Sequence, residues 1–71
     1  MRLRGEPPTG VTPREREVIA LVRLGLANKQ IAARLGSSHQ TVRNQLISVF
    51  RKFGVHTRLE LVVKAGHDAT A

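Results

Sequence analysis

The sequence predicts an all-α fold, a compact domain of four helices and no strand. Three observations predict it. Thr12-Pro13-Arg14-Glu15 and Thr57-Arg58-Leu59-Glu60 both read as capping boxes, so each marks the start of a helix. Val42, Leu46, Val49 and Phe53 advance by four, three and four residues, one apolar stripe at about 100° per residue. Gly25 and Gly36 stand just past apolar-periodic runs, where a helix ends on a left-handed residue.

The elements follow in order. Residues 1–10 carry two Pro and two Gly without periodicity and read as a flexible leader or interdomain linker. Thr12 caps the first helix, and Pro13 suits its first position. Val18, Leu21 and Val22 follow helical spacing, with Ile19 alongside, and Gly25 stops the run. Asn28 is the expected N-cap of a short second helix whose apolar set is Ile31, Ala32 and Leu35. After Gly36, Ser38 caps a third helix from about His39 to Phe53, and Phe50 widens its stripe. The fourth helix opens at Thr57, with Leu59, Val62 and Val63 expected inward and Leu61 and Ala65 expected outward. The expected domain spans residues 11–67, and residues 68–71 form a tail.

Composition narrows the functional classes. Twelve Lys and Arg stand against five Asp and Glu, a net charge of +7 on 71 residues. Such a chain favours anionic partners, nucleic acid first and an acidic membrane surface second. Between Val18 and Leu59 there are seven basic residues and no acid. With no Cys, neither a disulfide nor a thiolate metal site supplements the core, which suits a reducing cytoplasm. No apolar run approaches the roughly 18 residues of a membrane span. The only aromatics, Phe50 and Phe53, fall on the apolar face. No aromatic platform is left for stacking single-stranded bases, so duplex DNA is the favoured polyanion.

The second and third helices, separated by about three residues with a glycine at the break, have the spacing of a helix-turn-helix. In that motif the second member is a recognition helix that enters the major groove. Its outward face has the chemistry for base edges. Arg43 can fork onto guanine O6 and N7, and Asn44 can pair with adenine N6 and N7. Ile47, awkward in water, suits a thymine methyl, and Gln40 lies on the same face. Lys29, Arg51 and Lys52 flank that face as candidate phosphate contacts, joined by Thr41 and Gln45 as neutral donors.

These residues resemble a known family. Thr12-Pro13-Arg14-Glu15-Arg16-Glu17, Asn28-Lys29-Gln30-Ile31-Ala32 with Leu35, Ser38, Thr41-Val42-Arg43, Arg51-Lys52-Phe53-Gly54-Val55 and Thr57-Arg58 look like the LuxR-type helix-turn-helix. That is the DNA-binding domain of quorum-sensing regulators and of many two-component response regulators. The resemblance covers about residues 11–66. It implies a bacterial transcription regulator that binds roughly two-fold DNA sites as a dimer paired through helix four, here through Leu61 and Ala65. It also implies base contacts from Arg43, Asn44 and Ile47, and backbone contacts from Lys29, Thr41, Gln45 and Lys52. The weak homodimer is expected to tighten on DNA, and RNA polymerase is a further candidate partner. The chain departs from the pattern at Gln30, where Glu is usual, at Gln45, often His, at Ser37, usually apolar, and at Phe53, usually Leu.

Three other readings compete. A sigma-factor promoter-recognition domain shares the early helix and the Ile-Ala…Thr-Val run, but Gly54-Val55 before a capped fourth helix favours the LuxR type. A protein-interaction module would use the apolar strip on helix four. An enzyme finds little support: His39, His56 and His67 are scattered, the acids lie outside the basic stretch, and no metal-ligand spacing, phosphate loop or nucleophile–base pair exists. The expectation is no catalysis, no cofactor and no metal.

Overall fold

The Thr12 hydroxyl accepts from the Glu15 N–H at 3.1 Å, and the Glu15 carboxylate accepts from the Thr12 N–H at 2.9 Å. This reciprocal cap starts α1, Pro13–Arg23, in the computed structural model, which describes the backbone of residues 10–69 and side chains through Gly66. The other elements are α2, Asn28–Leu35, α3, His39–Phe53, and α4, Arg58–Ala69. Among the described residues there is no strand, and no helix is long and apolar enough to cross a membrane. The leader expected at residues 1–10 lies outside the described residues except for Gly10. The expected tail begins within α4, which runs on to Ala69.

One closure ends the first three helices. A backbone N–H reaches back five residues: Leu26 to the Leu21 carbonyl, Ser37 to Ala32 and Val55 to Phe50. At Gly36 and Gly54 the chain takes φ of 63° and 67° to do so, a conformation that other residues adopt only at a cost. Ser38 then restarts the chain by accepting from the Thr41 N–H at 3.0 Å. The second helix starts differently from expectation. Its N-cap is Ala27, not Asn28, and the Gln30 Oε1 reaches back to accept from the Ala27 N–H at 2.8 Å. Asn28 is instead the first helical residue, and Arg58 occupies its side-chain oxygen.

The core forms where α1 meets the other three helices. Val18 and Val22 from α1, Ile31 from α2, Val42, Leu46, Val49 and Phe53 from α3, and Leu61 from α4 are all buried. The α3 stripe is the one the sequence predicts. Among the described residues α2 and α4 do not pack on each other. Arg58 spans them instead, donating to the Asn28 Oδ1 at 2.8 Å and the Leu26 carbonyl at 2.7 Å. Lys64 fixes the other side of α4 by donating to the Phe53 carbonyl at 2.9 Å, at the negative end of α3.

The face of α4 differs from the sequence expectation: Val62 packs against the core as expected, but the other four apolar positions are exchanged. Leu61 is 0% exposed and Ala65 is buried, whereas Leu59 and Val63 are 72% and 64% exposed. Leu61 and Ala65 therefore hold the helix to the core and are not available as a dimer contact. The apolar residues of α4 make two stripes, 59/63 and 61/65, so periodicity alone does not choose between them. Arg58 chooses: it shares a face with Leu61 and Ala65 at i, i+3 and i+7, and its two hydrogen bonds turn that face inward. The start of α4 also differs in detail. Thr57 accepts from the Glu60 N–H as predicted, but the Glu60 carboxylate accepts from His56 rather than Thr57.

One acid enters the core edge. Glu15 is buried and accepts from the Lys52 ammonium at 2.7 Å, joining the start of α1 to the end of α3. Lys52 also donates to the Gly10 carbonyl at 2.7 Å. Burial alone pushes the Glu15 pKa up. Hydrogen bonds from Lys52, the Thr12 backbone and Ser48, with the lysine charge, outweigh burial and leave it below its usual 4.5.

Two outcomes follow for stability. Leu61→Ala should lose about 2–5 kcal/mol in urea unfolding, while Leu59→Ala should stay within about 0.5 kcal/mol; equal losses would contradict the α4 register. Because the Glu15 pKa is lowered on folding, its contribution is complete above the unfolded-state value and is lost as pH falls through the folded-state value. Glu15→Gln should therefore destabilise by about 1.5–3 kcal/mol at pH 7 and show less acid sensitivity than the natural sequence below about pH 4.5. Urea midpoints measured from pH 7 to pH 3 check both the size and the slope.

Candidate nucleic-acid interface

The buried stripe of α3 dictates what its other face presents. With Val42, Leu46, Val49 and Phe53 fixed in the core, Gln40, Arg43, Asn44, Ile47 and Arg51 must point away from it, and all five are exposed. Ile47 is 57% exposed, a large aliphatic side chain in the middle of a polar face. The structure thus brings the four predicted base-reading residues onto one surface of one helix. Gln40 donates from Nε2 to the Asn44 Oδ1 at 3.0 Å, so the two amides are already oriented by each other. Asn44 keeps its own amide N–H groups for another partner.

The predicted phosphate contacts divide. Lys29 and Arg51 are exposed, and neither makes an ion pair among the described residues. Thr41 is exposed at the start of α3, with its hydroxyl 2.8 Å from the Ser38 hydroxyl. Lys52 is revised: its side chain is only 28% exposed, and two of its three donors are spent on Glu15 and Gly10. The carboxylate neutralises the charge that the sequence reading offered to phosphate. Gln45 is revised in part. Its side chain is half-buried and its Oε1 is closed off from solvent with no partner, so only its amide nitrogen remains for an external acceptor.

Sequence reasoning missed two residues beside this face. Asn28 and Arg58, joined by their 2.8 Å hydrogen bond, border an open hollow that also touches Arg43 and Ile47. Arg58 was read only as part of a cap. The signal was an arginine at the first position of a helix whose N-terminal dipole disfavours a cation, a sign that something else holds it there. Of the seven basic residues between Val18 and Leu59, Lys52 and Arg58 are therefore internal fasteners, and Arg23, Lys29, Arg34, Arg43 and Arg51 are exposed.

Known proteins carry the same pattern. Residues 9–65 match the family described as bacterial regulatory proteins, luxR family. The response regulator Rre1 of Synechocystis sp. is 47% identical over 51 residues, 72% of this chain and 22% of that protein. The HTH-type transcriptional activator RamA of Corynebacterium glutamicum is 44% identical over 54 residues, 76% of this chain and 19% of that protein. A nitrate/nitrite response regulator protein homolog of Haemophilus influenzae is 40% identical over 57 residues, 80% of this chain and 27% of that protein. The chain spans 6% to 27% of the length of the curated relatives it matches. It belongs to the luxR family of bacterial regulatory proteins and is a helix-turn-helix DNA-binding domain of the transcription-regulator type.

Proposed function

We propose that this domain binds double-stranded DNA sequence-specifically, with α3 in the major groove, as the output element of a bacterial transcription regulator. The observation that carries the reading is the exposed face of α3, where Arg43, Asn44, Ile47 and Gln40 lie together opposite a fully buried stripe. Arg43 and the Gln40–Asn44 pair supply hydrogen bonds to base edges, and Ile47 supplies an apolar contact. Lys29, Arg51 and Thr41 meet phosphates, which set register and affinity but carry no sequence information. Gln45 contributes at most its amide nitrogen, and Lys52 acts mainly through the ion pair that seats α1 against α3.

The domain acts as a dimer on two half-sites. The surface for a second copy is the exposed strip of α4, Leu59 and Val63, beside an apolar groove that includes Val55 and Gly54. A strip this small is below the area of a stable interface, so the free domain is monomeric or weakly dimeric. Two half-sites hold two copies near each other and make the weak contact count.

Titrations on duplex DNA test both statements. Log K should fall with log salt by about 0.9 for each phosphate neutralised; salt-insensitive binding, or none, would remove the DNA reading. Arg43→Ala should lose about 1–3 kcal/mol on the preferred site and relax discrimination at one base, whereas Arg51→Ala should weaken all sequences about equally. The opposite sorting would exchange their roles. For the dimer, Leu59→Glu should abolish cooperativity on a two-half-site duplex and leave binding to a single half-site unchanged. Retained cooperativity would move the contact off α4.

A further inference from the structure

Between the start of α2, the middle of α3 and the start of α4 lies an open hollow of about 210 Å³, lined by Asn28, Arg43, Leu46, Ile47, Phe50 and Arg58. That is below the roughly 300–1,000 Å³ of small-molecule sites, so it suits the edge of a larger body rather than a free ligand. Its floor is apolar: Leu46 is buried, Phe50 half-buried and Ile47 largely exposed. Its polar wall is mostly spent. Arg58 gives its guanidinium to the Asn28 Oδ1 and the Leu26 carbonyl, and both bonds are internal. Arg43 is the exposed group at the rim, with no intramolecular hydrogen bond among the described residues.

The hollow therefore asks for an apolar group beside a pair of acceptors. The proposed function puts this face in the major groove, and the inference rests on that reading. Base edges there offer donors, acceptors and one apolar group, the 5-methyl of a pyrimidine. The paired acceptors that fit a guanidinium fork are guanine O6 and N7. We infer that the hollow seats the 5-methyl of a pyrimidine adjacent to the guanine read by Arg43, so that the domain recognises a methylpyrimidine–guanine step rather than guanine alone. Thymine and 5-methylcytosine both carry that methyl. Arg58 and Asn28 contribute as the wall that holds the hollow open, without touching the base themselves.

The test starts from a duplex selected from a randomised pool by this chain. The guanine is identified as the base at which Arg43→Ala loses discrimination. Replacing the adjacent thymine by deoxyuridine removes only the methyl and should weaken binding about three- to fivefold, the worth of one buried carbon group. In a second arm that thymine becomes cytosine or 5-methylcytosine. Recovery with 5-methylcytosine means that the methyl suffices; loss with both, beside the deoxyuridine effect, means that thymine is the natural source. Ile47→Ala should bring the thymine-to-deoxyuridine ratio to one. Equal affinity for thymine and deoxyuridine, a selected site with no methylpyrimidine beside that guanine, or a methyl effect that survives Ile47→Ala would each overturn the inference while leaving DNA binding intact. A selected duplex bound no better than random sequence would overturn the proposed function, and the inference with it.

Discussion

The 15 residues of α3 have to satisfy two environments at once, and the rest of the domain is arranged around that demand. One stripe, Val42 to Phe53, is buried against α1 and its neighbours. Each of its four large side chains is worth about 1.5–3 kcal/mol when removed from water. Rotating α3 by even one residue position, about 100°, would lift this stripe out of the core and bring Arg43 or Thr41 in. The core thus fixes the azimuth of the proposed reading face before any DNA is present. Ser38 at one end and Gly54 at the other fix where the helix starts and stops. Side chains on so constrained a helix lose less freedom on binding than the same residues on a loop would.

A chain of this size has little core to spare, and it supplements that core with cations used as fasteners. Lys52 ties α1 to α3, Arg58 ties α4 to α2, and Lys64 ties α4 to the last carbonyls of α3. Each is long enough to cross between elements and carries several donors, which suits it to unpaired carbonyls at helix ends. Only the first meets a carboxylate, so only there is a charge cancelled. The consequence for function is that net charge overstates the phosphate-binding capacity. Part of the +7 is turned inward, and the exposed remainder sets the salt dependence.

How much was legible in the sequence follows from which signals are local. The caps at Thr12 and Ser38 and the limits of α3 were readable because a cap depends on residues three apart and a buried stripe on one helix. Which residues of α3 are exposed was readable for the same reason, as the complement of that stripe. The second helix was read one residue out. Asn28 looked like a cap, but its oxygen is taken by Arg58, 30 residues away, and Gln30 does the capping from the other side. The face of α4 was misread because its two apolar stripes are equivalent until a tertiary bond breaks the tie. The ion pair of Lys52 was not legible because its partner lies 37 residues back in the chain. All three differences have one cause: a long-range polar contact decided what local pattern left open.

Arg58 links the two surfaces that the proposed function needs. From the start of α4 it reaches the α1–α2 loop and the first residue of α2, and the same guanidinium walls the hollow beside Arg43 and Ile47. Lys64 holds α4 a turn and a half further on, at the end of α3. Two polar ties and the buried Leu61 between them oppose rotation or sliding of α4 against the rest of the domain. The strip formed by Leu59 and Val63 is thereby held in place relative to the proposed reading face. In the proposed dimer this rigidity has a geometric consequence. The separation of the two recognition helices is set inside each domain, by these ties, rather than by whatever chain precedes residue 10. Half-site spacing then becomes a property of the fold, and about one helical turn of DNA is the separation that puts both α3 helices on the same side of the duplex.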